Sequence, residues 1–432
     1  MSDHYDVIVA GAGPAGAQCA RDVAKRGYDV LVLETEAEDE FPRQSNKSTA
    51  GTFPSMMASF GVPDDVVMNF TDRVVLESPN EHFVRDQAGA VLEFADFKRW
   101  LVAEGRDNGA DYRFDARVSG PIMDDGEIVG VEYNGGEEVY GDIVIDATGP
   151  AAPLAKALDV TGLERKHQAI GIEYEFEGVA IDHPEYADLT DSMMLRLDHD
   201  IAPGGYSWIF HTGGDTAKVG VCYIQNETYQ TYGQEGMTID DYLEYWLDDD
   251  PRFAEAERLE GKMHRGSAHI QMPNSLSTDN FMAIGDTVPT VDPLWGEGIH
   301  KCMESGRVAA ITADRCLTPR DPDTSAAEMT IYDELWHDRV APRMDARLRM
   351  TRLLYLAPND RYDRLMRDLQ HADEDTLARA NDGDFLAITR MFHLSDAPLL
   401  GKFARQRLDE AADVDAGSGL ASVSAAVLKK FL

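Results

Sequence analysis

Gly11, Gly13 and Gly16 stand in GxGxxG spacing directly after the apolar run Val7 to Ala10, and Glu34 closes a second apolar run, Val30 to Leu33. This set has the chemistry of a dinucleotide site. The first glycine permits a tight turn, the second lets the backbone approach a pyrophosphate, and the third lets a helix pack closely on the strand. Pro14 and Ala15 open that helix, whose free N–H groups and partial positive charge suit phosphates. A carboxylate at the position of Glu34 accepts hydrogen bonds from a ribose 2′-OH and repels a 2′-phosphate. A second constellation lies near residue 290. Gly285-Asp286 ends the run Asn280 to Ile284, and Gly296-Glu297-Gly298 opens a helix from Ile299 to about Leu317. Asp286 there can hold the ribityl hydroxyls of a flavin, and the helix start can stabilise negative charge on a reduced flavin ring. Ile143 to Asp146 runs into Ala147-Thr148-Gly149-Pro150, a small turn suited to the far edge of the same site. Together the three stretches point to FAD rather than NAD.

Positioning these residues calls for a doubly wound α/β unit, with each ligand group at the end of a strand. From about Gly162 to Met272 the pattern changes to alternating strands with interleaved aromatics: Ile170 to Phe176, Met193 to Leu197, Tyr206 to His211, Lys218 to Tyr223 and Lys262 to Ile270. Alternation of that kind indicates an antiparallel sheet with one covered face. After Asp321 the spacing is helical, including Pro342 to Tyr355, Arg361 to Leu369, Phe385 to Phe392 and a final amphipathic piece, Val423 to Leu432. The expected fold class is therefore α/β with α+β elements. A Rossmann-like FAD-binding domain spans 1–160 and 275–320, an inserted antiparallel-sheet substrate domain 161–274, and a helical C-terminal region 321–432. Residues 74–93 are expected to form short strands within the first of these, and Tyr112 to Val118 a further strand.

Composition narrows the partners. Seventy-eight acidic residues oppose 40 basic ones, a net charge of −38. Such a field repels nucleic acid and anionic lipid, and it suits a solvated surface in a high-salt cytoplasm. Cys19, Cys222, Cys302 and Cys316 form no metal-type cluster, so free thiols and no metal are expected. No stretch reaches the roughly 18 consecutive apolar residues of a membrane span. A cytoplasmic protein is expected, with room for peripheral contact with a membrane.

Three groups of residues are candidates for the substrate side. Lys47 and Thr49 lie in the polar loop after Glu34, which in a flavin-binding chain can sit over the isoalloxazine and can equally be a surface connection ahead of a helix. Tyr206, Trp208 and Phe210 fall on one side of a strand, and on the residues alone they read first as a core aromatic stripe. His300, next to the helix start, His211, beside the aromatic stripe, and Thr49 are weak catalytic candidates, and the proton donor itself is not named by the sequence.

The pieces DVIVAGAGPAGAQCARDVAKRGYDVLVLE, FKRWLVAEGRDNGADY, DIVIDATG and MAIGDTVPTVDPLWGEGIHKCMESGRVAA resemble the geranylgeranyl reductase family of FAD-dependent flavoproteins, which share the p-hydroxybenzoate-hydroxylase-like fold. Gly205-Tyr206-Ser207-Trp208-Ile209-Phe210 is similar to that family's YxWxFP motif, which lines a prenyl tunnel. The resemblance implies a reductase that saturates double bonds of geranylgeranyl chains, in an archaeal version acting on ether lipids. It turns Tyr206, Trp208 and Phe210 from core into substrate-side residues, joined by Pro293, Trp295 and Lys47. Val118, Gly149 and Ile299 join the glycines and acids as FAD neighbours. A reduced donor, ferredoxin or NAD(P)H, is implied. The chain departs from the pattern at His211 in place of the motif's last proline, at Thr49 in place of a frequent cysteine, at Phe94 in place of a frequent arginine and at Thr148 in the DG position of related hydroxylases. A monooxygenase or halogenase on the same fold and an electron carrier serving a quinone are the rival readings.

Overall fold

A computed structural model describes residues 4–43, 48–381, 384, 387 and 390–406. In chain order, β1 (His4–Ala10), α1 (Pro14–Ala24) and β2 (Val30–Leu33) form the first βαβ unit. There follow β3 (Gly51–Thr52), α2 (Pro54–Phe60), β4 (Val67–Glu77), β5 (His82–Leu92) and α3 (Phe94–Asp107). Next come β6 (Asp111–Arg113), β7 (Val118–Asp124), β8 (Glu127–Tyr133), β9 (Glu137–Asp146) and α4 (Pro153–Ala157). The middle of the chain supplies β10 (Gln168–Glu177), β11 (Ser192–Arg196), β12 (Gly205–Gly213), β13 (Thr216–Ile224), α5 (Ile239–Asp249) and β14 (Glu257–His269). The chain then returns through β15 (Ser277–Thr278), β16 (Phe281–Ala283) and α6 (Ile299–Leu317). The last described helices are α7 (Ala326–Leu335), α8 (Met344–Leu356), α9 (Asn359–His371) and α10 (Glu374–Asn381), with a helical stretch over 397–406.

The first eight-stranded sheet runs β15-β16-β9-β1-β2-β6, with β8 and β7 added beside β9. Its central strands β16, β9, β1, β2 and β6 pair in parallel, Val7 opposite both Val30 and Ile143. Continuous Val, Ile and Leu in β1, β2 and the end of β9 follow from that arrangement, because a parallel sheet is covered on both faces. Helix α1 crosses α6 at bare backbone: a Cβ on Gly306 would overlap the Ala15 carbonyl oxygen. Close approach at that crossing is what brings the two helix starts to the same edge of the sheet.

The second sheet runs β14-β10-β13-β12-β11-β4-β5-β3. All its pairings are antiparallel except β4 with β11, where Val74 faces Met193. One face is apolar. Ile172, Ile209, Val219 and Val221 meet Ile239, Leu243 and Trp246 of α5, which closes that side.

Sheet membership differs from the division expected at residue 161. Strands β3, β4 and β5, within residues 51–92, belong to the second sheet and extend it beyond β11. The short strands expected over 74–93 are two long ones joined at residues 78–81, with Gly89 inside β5. The strand expected from Tyr112 to Val118 is two, because the chain turns at Asp115 (φ +50°) between β6 and β7. The C-terminal helices pack on both sheets. Met329, Tyr332 and Trp336 join the core of the first, and Tyr355, Tyr362 and Met366 pack with Leu197 and Ile224 of the second. Half of the helix expected over Phe385 to Phe392, and all of Val423 to Leu432, lies outside the described residues.

Candidate active site where the two sheets meet

The glycine loop after β1 is shaped by backbone contact. Gly11 takes φ +105° against the Ala147 carbonyl, and a Cβ on Gly16 would overlap the Gly11 carbonyl. Gly13 differs: its Cβ direction opens into free space, and it forms the N-cap of α1 with no side-chain hydrogen bond. Pro14 and Ala15 occupy the first turn, so uncapped N–H groups face that space. Glu34 is buried at the end of β2. Its Oε2 accepts from the Ala12 N–H (2.8 Å) and its Oε1 from the Glu36 N–H (3.1 Å). The acid therefore braces the glycine loop, a role the sequence motif does not reveal. Val118 starts β7 in the core, two residues after Ala116, whose N–H bonds the Glu34 carbonyl.

On the other side of β1, Asp146 ends β9 fully buried. Its carboxylate accepts from the Thr148 N–H and hydroxyl (3.0 and 2.6 Å) and from the Leu154 and Ala155 N–H groups (3.1 and 3.0 Å). It thereby shapes the turn carrying Gly149, whose φ is +75°, whose Cβ direction is open and whose N–H donates to Thr287 Oγ1 at 3.0 Å. Gly285 lies against Ala15 of α1 and donates to Ser305 Oγ at 2.9 Å. Beside it the Asp286 carboxyl accepts one long bond from Cys302 Sγ (3.4 Å), and burial pushes its pKa up to about 6. The Gly296-Glu297-Gly298 turn is braced by Asp292. Its Oδ1 accepts from the Leu294 and Trp295 N–H groups (2.9 and 3.2 Å), and its Oδ2 pairs with Arg347 of α8 (2.7 Å). Gly298 caps α6 without a side-chain bond, and Ile299 begins the helix, buried.

Open space beside Gly13 and Gly149, two uncapped helix starts and a half-buried carboxyl with one weak partner fit a flavin dinucleotide. The N–H groups at the start of α1 would hold its phosphates, Asp286 would accept from its ribityl hydroxyls, and the start of α6 would face its ring.

The second sheet delivers its residues to this edge. Tyr206, Trp208 and Phe210 share one face of β12, opposite Cys222, Gly220 and Lys218 of β13. Each aromatic ring is seated on a glycine. A Cβ on Gly296 would overlap Tyr206 Oη, one on Gly220 the Trp208 ring, and one on Gly51 the Phe210 ring. Two of those glycines belong to the loops that flank the flavin region, 48–52 and 292–298. The same face carries buried charge: Lys218 Nζ donates to the carbonyls of Thr49 and Leu92 (both 3.1 Å), which pins the loop on which Thr49 lies. Glu175 lies 3.6 Å from both Lys262 and His264, and those neighbours hold its pKa below the usual carboxylate range. Pro293 is buried in the Asp292 turn, and Trp295 is exposed on it.

The two histidine candidates separate from this group. His211 lies on the opposite face of β12, its Nδ1 accepting from the Asp191 N–H (2.9 Å) and its Nε2 bonded to the Gly214 carbonyl (3.0 Å). With both ring nitrogens committed to backbone, it serves the end of the hairpin. His300 pairs with Glu297 (3.2 Å) and turns its ring toward Phe60, half exposed. Lys47 lies outside the described residues.

Strand-end acids, glycine turns and paired helix starts of this kind define an FAD-dependent oxidoreductase, and residues 6–199 match the FAD dependent oxidoreductase family. Residues 171–261, spanning β10 to the first part of β14, match the geranylgeranyl reductase catalytic domain. The chain is 70% identical to the digeranylgeranylglycerophospholipid reductase of Haloferax volcanii over 94% of its own length and 99% of that protein's. It is 30% identical to digeranylgeranylglycerophospholipid reductase 1 of Methanopyrus kandleri, covering 77% and 86%. A geranylgeranyl bacteriochlorophyll reductase-like structure from Thermoplasma acidophilum superposes with a TM-score of 0.80 at 21% identity, over 93% of this chain and 99% of that one. A flavin-dependent brominase follows at 0.69 and 22%, over 95% and 99%; these two likenesses speak to fold. The chain belongs to the geranylgeranyl reductase family. The halophilic source expected from its charge accords with the Haloferax relative.

Proposed function

We propose that this protein saturates carbon–carbon double bonds of geranylgeranyl chains in archaeal ether phospholipids. The observation that carries the reading is the seating of Tyr206 and Phe210 on Gly296 and Gly51, which sets an aromatic wall against both flavin-side loops. FAD, when bound and reduced by the electron donor, would supply the hydride. Gly11, Gly13, Pro14, Ala15, Gly16 and Glu34 hold its adenosine and phosphate end, with Val118 and Gly149 beside them. Gly285, Asp286, Gly296, Gly298 and Ile299 hold the ribityl and ring end. Tyr206, Trp208 and Phe210, with Pro293 and Trp295, line the prenyl side.

An isolated alkene is a poor hydride acceptor, so proton delivery to one carbon leads and positive charge develops on the other, which then takes the hydride. The faces of Trp208 and Tyr206 attract such charge in a site from which water is excluded. Lys218 holds the 48–52 loop in place through the Thr49 carbonyl. The two sheets are the working units: the first carries FAD, and the second, with residues 51–92 included, carries the substrate. Electrons come from a reduced cytoplasmic donor, ferredoxin or NAD(P)H, and the lipid is taken from the membrane by peripheral contact. No described helix is long and apolar enough to cross a membrane.

The test is anaerobic and in high salt. Holoprotein reduced with dithionite is mixed with digeranylgeranylglycerophospholipid while flavin absorbance and product mass are followed. Reoxidation with a gain of two hydrogens per double bond is expected. Flavin that stays reduced with lipid yet reoxidises with quinone or oxygen would overturn the reading.

A further inference from the structure

Trp208 has a partner that the aromatic motif does not announce. Its indole Nε1–H donates to Glu173 Oε2 at 2.7 Å, across the ladder from β12 over β13 to β10. Gly220 lies between them, and only the absence of a side chain there lets the ring reach the acid. Both residues are buried, and Glu173 Oε1 accepts no hydrogen bond among the described residues. Burying a carboxylate to satisfy one indole N–H is unfavourable for stability, since an amide or hydroxyl would serve the N–H without the cost of desolvating a charge. An arrangement that costs stability at a site invites a functional reason.

Resting on the proposed reaction, we infer that Glu173 is the positioning residue of Trp208 and acts on the chemistry through it. The hydrogen bond fixes the plane of the indole against Gly220. The negative charge behind the N–H polarises the ring, so its face becomes a better host for the positive charge developing on the alkene. Neighbouring charges on this face are otherwise engaged: Lys218 with two carbonyls, and Lys262 with Glu93 and Glu175. His264 stands opposite Glu173 on β14 and pairs with Glu175.

The test uses holoprotein with 15N-labelled tryptophan. Five tryptophans give five indole signals, and W208F identifies that of Trp208 by its loss. In the wild-type chain this signal is expected at the downfield edge of the five, and in E173Q it moves upfield. E173Q, which keeps an acceptor and removes the charge, is expected to lower kcat on geranylgeranyl lipid about tenfold with KM and FAD content unchanged. In the W208F background the same substitution should lower kcat no further. An indole signal away from the downfield edge, an unchanged kcat in E173Q, or an equal further loss on W208F would overturn the proposal. Should E173Q yield no holoprotein, E173D takes its place, and a Trp208 indole signal or a kcat that does not change in it would overturn the proposal. Absence of turnover in the wild-type chain is a failure of the proposed reaction and is told apart, because the indole shift does not depend on turnover.

Discussion

The two sheets build their halves of the site in different ways. In the first, most of the groups proposed to hold FAD stand where a parallel strand ends, Gly11 to Gly16 after β1, Glu34 after β2, Gly149 after β9 and Asp286 after β16, with Gly296 and Gly298 ahead of α6. The geometry comes from turns a few residues long. In the second, the groups lie along the strands and meet sideways, Phe210 on Gly51 and Trp208 on Gly220 with Glu173 one strand further. Turn-built sites tolerate little backbone change, whereas ladder-built sites depend on cross-strand neighbours and can be retuned one side chain at a time.

That contrast can be broken most sharply at Gly13. Its φ is −68° and its Cβ direction is empty, so Gly13→Val should fold with stability changed by less than about 1 kcal/mol. The added side chain occupies the phosphate space, so FAD affinity should fall about a hundredfold or more. Fluorescence titration of FAD beside thermal unfolding separates the two effects, and tight FAD binding would refute the placement of the phosphates.

A smaller effect is expected on the other sheet. Gly220→Ala drives a methyl group into the Trp208 ring and should cost about 1–3 kcal/mol of stability through overpacking. Lipid turnover should drop about tenfold with FAD content intact. Loss of flavin instead would mean that the two halves are not separable as the geometry implies.

The mildest prediction concerns pH. Asp286 titrates at about 6 in the FAD-free protein, above its ordinary 3.8, because burial penalises its charge. Its raised value destabilises the folded FAD-free chain as pH rises from 3.8 to about 6, since the unfolded carboxyl ionises first. FAD hydroxyls favour the ionised form, so FAD affinity should weaken as pH falls through about 6, by up to about tenfold per unit. Asp286→Asn should remove that slope, and a slope that survives the substitution would assign it elsewhere.

Local chain order determined the first sheet and its site. Glycine spacing, the apolar runs and the acids that end them are written over short stretches, and the βαβ unit, the Asp286 turn and the α6 start are all present at those residues. The aromatic stripe is also legible as one face of a strand, and the substrate-side role proposed for it comes only from the family motif. That residues 51–92 join the second sheet is not legible in their alternation, which reports a half-covered strand without saying which sheet covers it. Glu173 and Glu175 illustrate the same limit. In Gly171-Ile172-Glu173-Tyr174-Glu175-Phe176 the acids alternate with apolar residues, as they would on a strand facing water. Tertiary structure buries that face, and with it Lys218, because β3 to β5 and the 48–52 loop arrive from a different part of the chain. Periodicity fixes which residues share a face; only the packing of distant segments decides whether that face meets water or a ligand.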